Sequence, residues 1–175
     1  MTETLDTVLP KDVQEAVGRV LKRASDSHRM IATAESCTGG LVASLLTDVD
    51  GYGHVFDRGF VAYTSEAKHD LLGVDPGMLE RAGAVSEPVA RAMAEGALRA
   101  SKAALAIAVT GYAGPGAPDE EPGLVHFALA RRDRTTLHRL RHFGDRGRGA
   151  VRLACLQCCL ELLEQGLADV AEAAA

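Results

Sequence analysis

Apolar residues recur along the chain with two periods. From Lys11 to Asp26, Val13, Ala16, Val17, Val20, Leu21 and Ala24 follow the spacing of one helical face, which predicts an opening helix. Met30 to Ala34 is a short, partly β-branched run that suits a buried strand. Residues 41–49 then return to a helical pattern, and Phe56 to Tyr63 reads as a second strand. Thr64 is placed to cap a short helix over residues 65–72, with Gly73 and Pro76 as its stop. Ser86-Glu87-Pro88 opens a helix that runs to about Ala100. Ala103 to Thr110 is an unbroken apolar run, as expected of a central strand. Residues 124–131 and 135–143 read as a hairpin around Arg132, Asp133 and Arg134, and a last helix covers about 149–167.

Strands alternating with helices predict an α/β chain folded as a three-layer α/β/α sandwich, and the hairpin makes its sheet mixed but mostly parallel. A single domain over residues 1–175 is expected, with its core at about 11–170. Ala171 to Ala175 reads as a fraying tail. The last helix carries two apolar stripes, one of Val151, Cys155, Cys158 and Leu162, the other of Leu156, Leu160, Leu163 and Leu167. A second copy in a homo-oligomer would bury both, as would a core helix covered within one chain; the homo-oligomer is the expectation taken forward.

Composition narrows the classes of function. With 24 acidic and 19 basic residues the net charge is -5, and no Trp and few other aromatics are present, so a nucleic-acid partner is not expected. No apolar run has a membrane helix's length, and Met1 to Pro10 lacks a signal-peptide layout. Three of the four cysteines, Cys155, Cys158 and Cys159, fall within five residues, unlike a disulfide framework. The reading is a reducing, cytoplasmic setting and buried thiols. Cys155 and Cys158 have no second pair and no histidine at ligand spacing, so neither metal nor cofactor is expected.

Three segments carry candidate chemistry. Ser36 lies between a strand end and a helix start, where free amides hold anions or a developing oxyanion; the competing reading is that Ser36 or Thr38 caps the helix. A serine nucleophile needs a base, and Lys68 one element after the second strand is a candidate if a dry pocket lowers its pKa. Two rivals are close: Cys37 as the nucleophile, and Ser65, which forms an S-x-x-K pattern with Lys68. The second segment, Thr110-Gly111-Tyr112-Ala113-Gly114-Pro115-Gly116, is a glycine-rich loop with neither Walker nor dinucleotide spacing. The third, Phe143 to Arg148, offers Arg146 or Arg148 to a phosphate or carboxylate.

Taken in order, these segments resemble one family. Thr33-Ala34-Glu35-Ser36-Cys37-Thr38-Gly39-Gly40 is similar to its T-A-E-S-C-T-G-G, and the stretch from Gly59 to Lys68 is similar to its G-x-V-x-Y-[ST]-x-E-A-K. Gly83-Ala84-Val85-Ser86 resembles G-A-V-S, and Val109 to Gly116 resembles V-T-G-x-A-G-P-G. The family is the CinA C-terminal domain, the nicotinamide-nucleotide amidases, and the likeness spans about residues 11–170. It implies hydrolysis of the carboxamide of nicotinamide mononucleotide to the nicotinate nucleotide and ammonia. It implies Ser36 as nucleophile and Lys68 as base, with Tyr63 beside them and Thr110 lining the site. Glu35, Thr38, Gly39, Gly40, Gly111, Gly114, Arg146 and Arg148 complete the expected substrate contacts. Two departures stand out. The segment Ala117 to Gly123 is shorter than the family's and lacks its K-P-V-G lysine, and F-x-G-D-R is one residue tighter as Phe143-Gly144-Asp145-Arg146. Two alternatives follow: a nucleotide-binding module without catalysis, or an amidase for another small carboxamide.

Overall fold

The computed structural model describes residues 9–115, 120–132 and 134–171, the last three of these as backbone only. Five strands form one sheet in the order β2-β1-β3-β4-β5. They are β1 (Ile31–Glu35), β2 (Phe56–Val61), β3 (Leu105–Gly111), β4 (Leu124–Arg131) and β5 (Arg134–His142). β1 pairs in parallel with β2 and β3, while β4 is antiparallel to both β3 and β5, so four of the five strands run one way. The chain is a three-layer α/β/α sandwich with a mixed, mostly parallel sheet.

The two faces of the sheet differ in side-chain size. On one, Ile31, Leu105, Ile107, Val109, Val125, Phe127 and Leu129 pack under α1 (Lys11–Asp26), α2 (Leu41–Thr47) and α6 (Arg148–Ala171). The other is paved with alanine: Ala32, Ala34, Ala106, Ala108, Ala128 and Ala130. Small side chains let α5 (Glu87–Arg99) sit close to that face, with its own Ala90, Ala94 and Ala97 turned inward. Outside α5 lie α3 (Ser65–Leu72) and α4 (Pro76–Ala82). The approach of α3 to α5 depends on Gly96, because a Cβ there would collide with the Leu72 carbonyl.

Several expectations shift in detail. α3 stops at Leu72 with left-handed Gly73 (φ 66°) as its C-cap, as expected, but Pro76 then opens a further helix, α4, which Asp75 caps by accepting a 3.0 Å bond from the Met78 amide. An Asp before a Pro at the first helical position is a helix start as well as a turn signal. Thr64 caps α3 as expected, through the Ala67 amide at 3.1 Å. Both stripes of α6 are buried within this one chain, so they supply no reason for a second copy. Asp133, the N-terminal segment 1–8, the loop stretch 116–119 and the tail 172–175 lie outside the described residues. Among the described residues no helix is long and apolar enough to cross a membrane.

Gly96→Ala is expected to force α3 and α5 apart and to destabilise the fold by about 1–3 kcal/mol, the usual cost of overpacking. Urea denaturation measures it, and an unchanged midpoint would show that the two helices are not in such close contact.

Candidate active site

β1 lies between β2 and β3, and the chain leaves it at a carboxyl edge flanked by both neighbours. Ser36 continues the β1–β3 ladder by one step, its amide donating to the Val109 carbonyl at 3.0 Å. The turn that follows needs left-handed backbone at Gly39 (φ 61°) and Gly40 (φ 92°), a conformation that costs glycine little. Glu35, 1% exposed, points to the opposite side of the strand from Ser36. Its carboxylate accepts from the amides of Gly40 and Val42, both at 3.0 Å, and of Ala43 at 2.8 Å. A carboxylate on three amides at a helix N-terminus is a charge-assisted cap. Glu35 therefore holds α2 against the strand end, and its oxygens are committed.

Lys68 is 1% exposed and enters from α3. Its Nζ donates to the carbonyls of Ala62 at 3.1 Å and Tyr63 at 3.0 Å, and to Ser36 Oγ at 3.2 Å. Burial pushes its pKa below the ordinary lysine value, opposed weakly by the charge of Cys37. Once neutral, the amine keeps two N–H groups for the two carbonyls and turns its lone pair to the Ser36 hydroxyl. That geometry can take a proton from Oγ.

These two side chains line a cavity of about 310 Å³ together with Cys37, Tyr63, Thr110, Gly111, Gly114 and Arg148, and with Ala84, Val85, Tyr112, Ala113, Pro115 and Glu120. Thr110 is buried and its hydroxyl donates to the Ala84 carbonyl at 2.9 Å, which fixes the loop before α5 at the cavity wall. Tyr63 contributes its carbonyl to Lys68, while its side chain is 60% exposed. Of the two candidate arginines, Arg148 at the start of α6 reaches the cavity and Arg146 does not. Glu35, Thr38, Gly39 and Gly40 are absent from the lining as well. They shape the turn from behind.

The rival nucleophiles separate. Ser65 faces a different cleft, outside α3, together with Glu66, His69, Asp70, Pro76, Leu79 and Glu80. Lys68 has turned away from it toward Ser36. Cys37 stays in the cavity wall. A hydrogen bond from the Cys155 thiol draws its pKa down, and burial opposes this; the same bond, with burial, pushes Cys155 up. Cys158 and Cys159 are raised by burial. Among the described residues no His, Cys, Asp or Glu cluster is arranged to hold a metal ion.

One residue escaped the sequence reading. Arg152, one turn beyond Arg148 on α6, donates from Nη2 to the Thr38 carbonyl at 2.6 Å. The signal was an arginine four residues after another at the start of the last helix.

The sequence profile of the CinA C-terminal domain matches residues 13–167. A putative competence-damage inducible protein of Symbiobacterium thermophilum is 56% identical over 122 residues, which cover 69% of this chain and 28% of that protein. A CinA-like protein of an Anaeromyxobacter species is 46% identical over 145 residues, 82% of this chain and 35% of the relative. The chain thus spans about a third of the length of the curated relatives it matches. Among solved structures, the competence/damage inducible protein CihA from Agrobacterium tumefaciens superposes with a TM-score of 0.87 at 45% identity, over 90% of this chain and 97% of the other. A competence-damaged protein (CinA) superfamily protein from Escherichia coli gives 0.83 at 33% identity, over 90% and 92% of the two chains.

The buried lysine has a thermodynamic signature. Its folded-state pKa lies below the unfolded value of about 10.4. Between those two values the unfolded chain holds a proton that the folded chain does not, so stability rises with pH across that window. Wild type is expected to gain stability relative to Lys68→Met between pH 7 and 10, as read by urea denaturation of both. A difference that does not change with pH would contradict it.

Proposed function

Because the chain belongs to the CinA C-terminal domain family, we propose that it is an amidohydrolase that deamidates nicotinamide mononucleotide by a Ser36–Lys68 mechanism in the cytoplasm. The observation that carries the proposal is the buried 3.2 Å contact between Lys68 Nζ and Ser36 Oγ at the wall of a cavity. Ser36 Oγ attacks the carboxamide carbon while neutral Lys68 takes its proton. The resulting ammonium passes that proton to the departing nitrogen, and ammonia leaves an ester on Ser36. Water, deprotonated by Lys68, hydrolyses the ester to the carboxylate product and free serine.

The developing oxyanion needs donors, and most amides of the turn are spent. Gly39 donates to Ser36 O and Leu41 to Thr38 O, while Gly40, Val42 and Ala43 donate to Glu35. The Cys37 amide bonds its own thiol, so the Thr38 amide is the donor left for this task among the described residues, which moves the oxyanion site nearer Ser36 than the two glycines. Arg148, exposed at the cavity mouth, supplies the cation for the phosphate. Arg146 is not among the residues that line the cavity, which favours Arg148 for this role.

Wild type is expected to release ammonia from nicotinamide mononucleotide, with a rate that climbs with pH as Lys68 loses its proton. Ser36→Ala and Lys68→Ala are expected to lose at least about 100-fold in kcat. Full activity in Ser36→Ala would remove the nucleophile. Inactivation by iodoacetamide together with an active Ser36→Ala would transfer the role to Cys37. A panel of carboxamides with and without phosphate tests the substrate, and turnover only on phosphate-free amides would overturn this choice of it.

A further inference from the structure

The nucleophile turn is gripped by charge from two sides. From below, the Glu35 carboxylate collects the amides of Gly40, Val42 and Ala43. From the last helix, the Arg152 guanidinium reaches the Thr38 carbonyl at 2.6 Å, across 114 residues of sequence. Between these two grips lie the left-handed residues Gly39 and Gly40, the most freely rotating part of the turn. The approach is close: a Cβ on Gly39 would stand 3.6 Å from Arg152 Nη2. Arg152 Nε is buried with no hydrogen-bond partner, so the side chain gives up solvation to be where it is. Arg148, one turn earlier, faces the cavity instead. Like charges four apart weaken a helix, so helix stability does not account for the pair.

We infer that Arg152 is a positioning residue for the amidohydrolase read from this site: by holding the Thr38 carbonyl it fixes the turn so that Ser36 Oγ meets the Lys68 lone pair. It is not among the residues that line the cavity. Arg148 and Arg152 then divide their work, the first binding substrate and the second aligning the nucleophile. A charge-assisted bond to the carbonyl orients the peptide plane between Thr38 and Gly39, and through it the remaining amides of the turn. Loss of that bond leaves the Thr38 carbonyl only the longer 3.3 Å contact from the Leu41 amide and loosens the turn, and misplacement of a nucleophile by about 1 Å costs on the order of 100-fold in rate.

The test compares Arg152→Met, Arg152→Lys and Arg148→Met in the full chain, with two readouts. One is steady-state ammonia release from nicotinamide mononucleotide. The other is the rate at which a fluorophosphonate labels Ser36, followed by mass spectrometry, which needs no knowledge of the substrate. Arg152→Met is expected to lower kcat and the labelling rate together by about 10–100-fold. KM is expected to stay within about threefold and the unfolding midpoint near that of wild type. Arg152→Lys, a cation without the planar fork, is expected to label at an intermediate rate. Arg148→Met, which removes a side chain from the cavity wall, is expected to raise KM. Labelling at the wild-type rate in either folded Arg152 variant overturns the inference, as does a loss that follows the unfolding midpoint in both. A wild type that labels at Ser36 but releases no ammonia from the nucleotide would sink the substrate reading alone, and the labelling comparison would still decide the role of Arg152.

Discussion

A primary amine held out of water against a hydroxyl is the interaction on which the site depends. Among the described residues the hydrogen-bond partners of Lys68 are two main-chain carbonyls and Ser36 Oγ, with no carboxylate. Burial disfavours the ammonium, against a smaller opposing pull from Cys37. The carbonyls of Ala62 and Tyr63 then hold the two N–H groups and leave the lone pair one direction, toward the serine. The same residue is therefore a liability for stability and, in the proposed mechanism, the base.

The rest of the fold makes that contact possible. Lys68 comes from α3, an outer helix, and reaches the sheet edge only because α3 sits close to α5 at Gly96 and α5 sits close to the alanine face of the sheet. Ser36 stands at the end of β1, where neighbours on both sides fix the strand. Thr110 anchors the loop before α5 at the far wall of the cavity. The opposite layer works on the turn from behind, through Glu35 at the start of α2 and Arg152 on α6. Large side chains fill that layer, so α6 is covered on both stripes and forms a firm base for the turn.

Much of this was legible in the residues. Period-3.6 patterns gave α1 and α6, the apolar run gave β3, and Thr64 gave the start of α3. Ser36 and Lys68 stood out because each sat next to a strand end, where an α/β sheet gathers chemistry. Contacts made through main-chain atoms were not legible. Nothing in the sequence says that Glu35 spends its carboxylate on amides instead of substrate, or that Arg152 reaches a carbonyl 114 positions earlier. The choice between Arg146 and Arg148 turns on where α6 begins, and a helix boundary is the least certain feature of any periodicity. The helix α4 was hidden because Pro76 reads as a stop when it was in fact a start.

The state of the lysine amine is the most direct point of attack. Labelling with ε-¹³C lysine and following the Lys68 signal by NMR across pH gives its ionisation in the folded chain, with Lys68→Met to assign it. A midpoint well below the ordinary lysine value, and a further change on replacing Ser36 by alanine, is what this account requires. A Lys68 that titrates at or above the value of an exposed lysine would mean that the amine stays charged beside the hydroxyl, and Ser36 would have no base.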